Sequence, residues 1–136
     1  MDLNSIKTEQ RNSRTTQIDT MSTLSMVKLI NEEDKKVAAA VGNEAEHIAR
    51  AVDVIAAQLK QGGRLVYSGC GTSGRLGILD AVECPPTYST DPGEIIGLIA
   101  GGNEAIFRAK EGAEDDENQG AEDLKKIGFG SRDVLV

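Results

Sequence analysis

The sequence has few of the residues that mark several specialised classes of protein. Its 136 residues include two cysteines and one histidine, too few for a disulfide scaffold or a structural zinc site. Positive charge is also scarce, since 15 basic residues against 22 acidic ones give a net charge of −7. Binding of nucleic acid without sequence preference needs a basic surface, so this balance argues against it. One positive pocket for a small phosphorylated ligand stays compatible with an acidic protein.

Long apolar runs are absent as well. The chain has no run of about 18 apolar residues, so we expect no membrane-spanning helix. The first 20 residues carry six charged side chains and no apolar core, which predicts no secretory signal. We therefore expect a cytoplasmic protein that binds neither membranes nor nucleic acid.

The first 62 residues are predicted to form a polar arm followed by helices. Residues 1–20 are polar with few apolar positions, and we expect this arm to need a surface to lie on. Apolar residues at helical spacing predict three helices, over 22–30, 35–41 and 43–60. The polar segment 31–34 has capping side chains and predicts a break between the first two helices. Gly62 and Gly63 are expected to end the third helix.

From residue 63 the pattern changes to strands that alternate with helices. Apolar runs predict strands over 64–68, 94–100 and 133–136. Three helices are expected between and beside them. The first stops at Pro85-Pro86, the second runs from Gly101 to Ala113, and the third includes Leu124. Such alternation is typical of a parallel sheet with crossover helices. We therefore predict an α/β domain over 63–136 behind an all-helical N-terminal segment over 1–62.

The end of the chain reads as a strand. Val134-Leu135-Val136 has the character of a strand that is buried on both faces, and the sequence stops inside it. Three parallel strands that end in this way are not expected to form a complete domain. We therefore expect a truncated chain that is inactive on its own.

A glycine-rich loop follows the first predicted strand. Gly69-Cys70-Gly71-Thr72-Ser73-Gly74 lies between a strand and a helix, where backbone N–H groups converge on an anion. Dinucleotide binding would need an acidic residue after the second strand, and a Walker loop would need Gly-Lys-Ser/Thr; both are absent. Two hydroxyls beside N–H donors suit a phosphate monoester instead, although either hydroxyl alone could simply cap the helix. The predicted phosphate ligands are Gly69, Gly71, Thr72, Ser73 and Gly74.

The loop and its surroundings resemble a known family. The segment from Ser68 to Arg75 resembles the first phosphosugar loop of sugar isomerase (SIS) domains. The continuation from Leu76 to Thr87 is similar to the N-acetylmuramic acid 6-phosphate etherases. Four shorter segments share that similarity, at 8–12, 30–35, 98–102 and 111–115. The resemblance covers essentially the whole chain and implies a three-layer, flavodoxin-like parallel sheet, of which the later strands, a second loop and a helical region are missing here.

The resemblance implies a lyase that needs no cofactor and no metal. Such an enzyme would remove D-lactate from the 3-ether of the phosphosugar and leave N-acetylglucosamine 6-phosphate. Carried over by motif, Glu114 would be the base that takes the C2 proton, and Glu83 the acid that protonates the ether oxygen. Without the resemblance, the acidic run around Glu114 would be taken as a solvated face.

The spacing of Ser73 and Glu83 leaves two alternatives. A continuous helix would separate them by about 15 Å along its axis, because each residue rises about 1.5 Å. Either that helix breaks early, or Glu83 serves a site completed by a second subunit. The second alternative implies a homodimer with a shared active site. The apolar neighbours of Glu83 argue against a merely solvated carboxylate.

Two other functions are compatible with the loop. A phosphosugar-sensing SIS module would use the same loop without catalytic carboxylates, and an aldose–ketose isomerase would share the abstraction of a C2 proton. Glu83 followed by Cys-Pro-Pro favours the etherase. Arg75 could neutralise a phosphate or point to solvent.

Overall fold

The computed structural model describes residues 10–136. The chain divides into two compact units, Met1–Ile48 and Ala49–Val136. The first nine residues of the predicted arm lie outside the described residues. The predicted boundary at residue 62 between the N-terminal segment and the α/β domain stays a prediction.

Two long helices precede the sheet. Helix α1 spans Thr23–Asn43, and Ser22 caps it by accepting a hydrogen bond from the N–H of Ser25. Helix α2 spans Ala45–Lys60, and Gly62 follows it at φ +74°, as the predicted ending requires. The helical character expected of the N-terminal segment is confirmed.

The predicted break at residues 31–34 is wrong, because α1 continues through it. The polar side chains that suggested a cap are satisfied along the helix instead. Glu32 pairs with Lys35 at 2.6 Å. Glu33 pairs with Lys36 at 2.7 Å. Pairs three residues apart lie on one helix face and support the helix that contains them.

Three parallel strands form an open sheet. Strand β1 spans Leu65–Gly69, β2 spans Ile95–Ile99, β3 spans Val134–Leu135, and their spatial order is β2-β1-β3. Leu65 pairs with Ile95 on one side and with Val134 on the other. Connections between these parallel strands must cross over, as the alternating pattern predicted. The α/β fold expected for the C-terminal part of the chain is confirmed.

The helices of this part differ from the prediction in two places. Helix α3 spans Gly71–Tyr88, α4 spans Glu104–Phe107 and α5 spans Glu117–Lys126, with a 3₁₀ turn over Ala113–Asp115 before α5. The helix expected from Gly101 to Ala113 is thus reduced to the single turn of α4. In addition, α3 does not stop at Pro85 but continues to Tyr88.

The prolines weaken the last turn of α3 without ending it. Proline has no N–H, so the carbonyl groups of Ala81 and Val82 lose their helical donors. The turn is still closed by the N–H of Ser89, which donates to the Pro85 carbonyl at 2.9 Å. The helix ends where Ser89 adopts a left-handed conformation, with φ 57°.

Close backbone contacts hold α3 on the sheet. A Cβ added to Gly77 would lie 2.7 Å from the Cβ of Tyr67 on β1. A Cβ added to Gly97 on β2 would lie 2.7 Å from the Cα of Ile78. The fully buried side chain among the described residues is Val66, in the central strand. The helix therefore packs on β1 and β2 with almost no side-chain layer between them.

An ion pair fixes the amino-terminal end of the sheet. The Asp133 carboxylate, just before β3, accepts hydrogen bonds from the Arg64 side chain at 2.7 and 3.1 Å. It also accepts from the backbone N–H groups of Arg64 and Gly130. The guanidinium of Arg64 further donates to the carbonyls of Ile127 and Gly128. These bonds join the end of α5 to the start of β1 and set the register of β3.

Candidate functional site

The predicted phosphate loop connects β1 to α3. Cys70 is extended, and Gly71 turns the chain at φ +52°, a conformation that favours glycine. The first helical bond runs from the N–H of Gly74 to the Cys70 carbonyl at 3.3 Å. The N–H groups of residues 71–73 precede that bond, so the helix itself gives them no acceptor. Backbone donors at the start of a helix form a binding place for an anion.

Two glycines allow the loop to be this tight. A Cβ on Gly74 would lie 2.7 Å from the carbonyl oxygen of Gly69 and 2.8 Å from Cγ1 of Ile99. A Cβ on Gly69 would lie 2.8 Å from the nitrogen of Gly74. The backbone at the two ends of the loop is therefore in direct contact, and any side chain would force it open.

The two hydroxyls of the loop have different environments. Ser73 Oγ donates to the Cys70 carbonyl at 2.8 Å, across the first turn of the helix. Thr72 is exposed. Cys70 occupies the N-cap position of α3 without a side-chain capping bond, so neither Thr72 nor Ser73 stands at that position. Cys70 and Cys84 are free thiols, the first exposed and the second buried.

Glu114 lies beside this loop. It belongs to the 3₁₀ turn that follows Gly112, which adopts φ +73°. A cavity of about 130 Å³ is lined by Glu114 together with Cys70 and Gly71 of the loop. A second cavity, of about 280 Å³, is lined by Glu114 together with Gly69 and Cys70. The Glu114 carboxylate is exposed and thus open to a ligand held at the loop.

Glu83 is placed elsewhere. Helix α3 is continuous past it, so Glu83 stands about 15 Å along the axis from Ser73. The alternative in which the helix breaks early is therefore wrong. Neither of the two cavities that contain Glu114 is lined by Glu83. Glu83 is exposed, although Cys84 beside it is buried.

Two groups near the loop make contacts that the sequence does not predict. The hydroxyl of Tyr67 on β1 donates to Asp80 on α3 at 2.8 Å. Burial, reinforced by this bond, raises the pKa of Tyr67 to about 12. The half-buried Arg75 side chain donates to the carbonyls of Ala105 and Ile106, and it lines the smaller cavity together with Gly71 and Glu114. No local sequence signal predicts either contact, because the partners are distant along the chain.

Over residues 10–136, no three carboxylate, thiol or imidazole side chains gather in a way that could hold a metal ion. None of the helices described in that range has both the length and the apolar character needed to cross a membrane.

Comparison with known proteins assigns this arrangement to a family. Residues 47–136 match the family model described as the glucokinase regulatory protein N-terminal SIS domain. The chain belongs to the SIS-domain family. The SIS fold predicted from the loop is thus confirmed over two thirds of the chain.

The names of similar proteins agree with the resemblance to the N-acetylmuramic acid 6-phosphate etherases. The N-acetylmuramic acid 6-phosphate etherase of Lactobacillus acidophilus is 57% identical over all 136 residues, which cover 46% of that relative. The relative of the same name from Photorhabdus laumondii is 58% identical, with 45% of its length covered. That from Clostridium beijerinckii is 55% identical, again over 45% of its length. This SIS chain therefore spans less than half the length of the curated relatives it matches.

Proposed function

We propose that this chain supplies the phosphate loop and the reactive carboxylates of an N-acetylmuramic acid 6-phosphate etherase. The observation that carries the proposal is that Glu114 lines the same cavities as Gly69, Cys70 and Gly71 at the start of the loop. A carboxylate beside a phosphate-binding turn is the arrangement needed to act on the carbon chain of a bound sugar phosphate. The full-length relatives cited above carry the name of this activity.

The loop would hold the 6-phosphate of the substrate. Phosphate oxygens are acceptors, and the N–H groups of residues 71–73 are donors without helical acceptors. Ser73 and Thr72 would add their hydroxyls. For Ser73 this means that Oγ turns its hydrogen from the Cys70 carbonyl toward the phosphate.

Glu114 would act as the base. In the ring-opened sugar, the C1 aldehyde acidifies the C2 proton, and transfer of that proton to Glu114 forms an enolate. The enolate then expels the oxygen at C3, so the C3–O bond breaks and D-lactate leaves. Addition of water to the resulting unsaturated aldehyde forms a hydroxyl at C3 and returns a proton to C2. The net reaction consumes one water and needs no cofactor.

Glu83 would act as the acid that protonates the departing ether oxygen and later as the base that activates the water. The continuous α3 places it about 15 Å from Ser73, beyond a sugar bound at the loop of the same chain. We therefore propose that Glu83 serves the loop of a second copy, in a homodimer with a shared site. Sedimentation analysis at micromolar concentration tests this, and a stable monomer that releases D-lactate would contradict it.

The reaction is proposed to serve the recycling of cell-wall amino sugars in the cytoplasm. Its substrate is a phosphorylated sugar, and the two free thiols are compatible with a reducing compartment.

The decisive experiment combines two readouts. This chain, joined to the remaining C-terminal residues of the Lactobacillus acidophilus relative, is incubated with N-acetylmuramic acid 6-phosphate in deuterated water. Released D-lactate reports the whole reaction, and deuterium at C2 reports the first step alone. The 136-residue chain without the added residues is expected to release little D-lactate; release at the rate of the joined chain would contradict that expectation.

Variants separate the two carboxylates. Glu114→Gln is expected to lower both C2 exchange and lactate release by at least about 100-fold. Glu83→Gln is expected to block lactate release while exchange continues, because deprotonation precedes protonation of the leaving group. Asp115→Asn, in the same exposed turn as Glu114, is the matched control and should keep both activities. Equal loss of exchange in the Glu114 and Glu83 variants would contradict the proposed roles.

A phosphosugar-sensing module is the second candidate. The observation that favours it is the matching family model, which describes a domain of a regulatory protein. Such a module would bind N-acetylglucosamine 6-phosphate through the loop but would release no D-lactate and exchange no C2 proton. The same experiment therefore distinguishes the two functions.

A further inference from the structure

Arg75 makes contacts that a phosphate ligand would not make. It is the fifth residue of α3, immediately after the loop, and is half-buried. Its Nε donates to the carbonyl of Ile106 at 2.8 Å, and its Nη2 donates to the carbonyl of Ala105 at 2.7 Å. The planar fork of a guanidinium suits two adjacent acceptors of this kind. Its charge is thus directed toward α4.

These two carbonyls determine where α4 ends. In a longer helix they would accept from the N–H groups of residues 109 and 110, four positions later. Arg75 occupies them instead, and the chain leaves the helix at Arg108, which is extended with φ −136° and ψ 135°. A side chain from α3 therefore replaces the hydrogen bonds by which α4 would have continued.

The chain then folds back toward the loop. Lys110 Nζ donates to the Gly101 carbonyl at 3.3 Å, close to the end of β2. A Cβ on Gly101 would lie 3.2 Å from the Cβ of Ala113, so Glu114 follows a residue that packs at the end of β2. Arg75, Gly71 and Glu114 line the same cavity of about 130 Å³.

We propose that Arg75 is a positioning residue, which ties the segment 104–115 to the first turn of α3 and thereby holds Glu114 beside the phosphate loop. In this inference, the catalytic role of Glu114 rests on the proposed function, whereas the contacts of Arg75 do not depend on it. Arg75 contributes to the reaction through the placement of another residue and not through the phosphate.

The first test measures the segment in the 136-residue chain. Hydrogen exchange is followed by mass spectrometry in a peptide that covers 104–115, for the native chain, Arg75→Lys and Arg75→Met. We expect about tenfold faster exchange in Arg75→Met and a smaller increase in Arg75→Lys, because one ammonium cannot replace both forked bonds. Arg50→Met, at an exposed position on α2, is the control and should leave this peptide unchanged. Unchanged exchange in both Arg75 variants would overturn the proposal.

The second test separates positioning from phosphate binding. In the joined chain described above, Arg75→Met is expected to lower kcat for D-lactate release about 100-fold and to change KM less than about threefold. In Arg75→Ala, which leaves space for it, added guanidinium at millimolar concentration should restore part of kcat, which loss of folding would not allow. Ser73→Ala should show the opposite pattern, with a raised KM.

Two outcomes would overturn the role of Arg75. One is a raised KM with unchanged kcat in Arg75→Met, which would identify a phosphate ligand. The other is equal affinity loss for N-acetylglucosamine 6-phosphate in the Arg75→Met and Ser73→Ala forms of the 136-residue chain. If the joined native chain releases no D-lactate, the etherase proposal fails, while hydrogen exchange and phosphosugar affinity still decide whether Arg75 holds the segment or binds phosphate.

Discussion

The two ends of β1 differ in how their backbone polar groups are satisfied. At its start, Arg64 and Asp133 satisfy each other and the neighbouring backbone through side chains. At its end, from Gly69 to Gly74, side chains are small or absent and backbone N–H groups precede the first helical bond. The first end is closed by side-chain hydrogen bonds, whereas the second is open and leaves the N–H groups of residues 71–73 without helical acceptors. Substitutions at the two ends should therefore differ in what they damage.

The largest effect is expected from Gly74→Ala at the open end. The added methyl would lie 2.7 Å from the Gly69 oxygen, which is backbone and cannot rotate away. We expect α3 to be pushed off β1, with a loss of about 3 kcal/mol in the free energy of unfolding and loss of phosphosugar binding. Urea unfolding and calorimetry with N-acetylglucosamine 6-phosphate measure the two effects.

Gly71→Ala is the matched control for that substitution. A Cβ at Gly71 meets no atom within 4 Å among the described residues, so only its φ of +52° opposes alanine. The expected cost is about 1 kcal/mol. Equal losses for the two alanine variants would show that steric contact at Gly74 does not set the shape of the loop.

A smaller effect, on stability alone, is expected from Asp133→Asn at the closed end. The carboxylate is 8% exposed and accepts from Arg64 and Gly130, and the amide would leave the guanidinium without its counter-charge. We expect a loss of about 2 kcal/mol in the free energy of unfolding. Affinity for N-acetylglucosamine 6-phosphate, measured under folding conditions, should be unchanged, and a drop in affinity would show that the two ends of β1 are coupled.

The closed end should also respond to acid. The hydrogen bond from Arg64, aided by the backbone N–H of Gly130, holds the pKa of Asp133 well below its usual value. A lowered folded-state pKa stabilises the protein above the unfolded-state value of about 3.9, and this stability is lost as the pH falls further. The difference in urea midpoint between the native chain and Asp133→Asn should therefore shrink from about pH 5 to about pH 3. Asp53→Asn, at an exposed position on α2, is the control; a constant difference would contradict the assignment to Asp133.

The smallest effect is expected from Ser73→Ala, on binding alone. Ser73 already donates to the Cys70 carbonyl, so a bond to phosphate replaces an existing one. We expect affinity for N-acetylglucosamine 6-phosphate to fall by about 1 kcal/mol, near the lower limit for such bonds. Stability in urea should change little. Affinity equal to that of the native chain would show that the backbone binds the phosphate without this hydroxyl.

The features predicted correctly from the sequence are those set by neighbouring residues. The positions of the strands, the glycine-rich loop over 69–74 and the end of α2 at Gly62 depend on short patterns of apolar residues and glycine. The loop was located for the same reason. Its roles in phosphate binding and those of Glu83 and Glu114 stay predictions that the experiments above test.

The features that were missed depend on distant residues. The helix expected up to Ala113 ends at Phe107, where Arg75, thirty residues earlier, takes the carbonyls of α4. The break expected at residues 31–34 is absent because Glu33 is paired with Lys36 and also with Arg14, at 2.7 Å. Capping residues and apolar spacing indicate only the structure that a segment favours by itself. They carry no information about contacts with residues that are distant along the chain.

The close contacts at the glycines bear on the distance between the loop and Glu83 along α3. Where Gly77 meets Tyr67 and Gly97 meets Ile78, the contacts are so close that α3 has little freedom to slide on the sheet. The loop and Glu83 therefore lie at a fixed separation along α3. Because the helix backbone sets this separation, a ligand that contacts both on one chain must have a matching length.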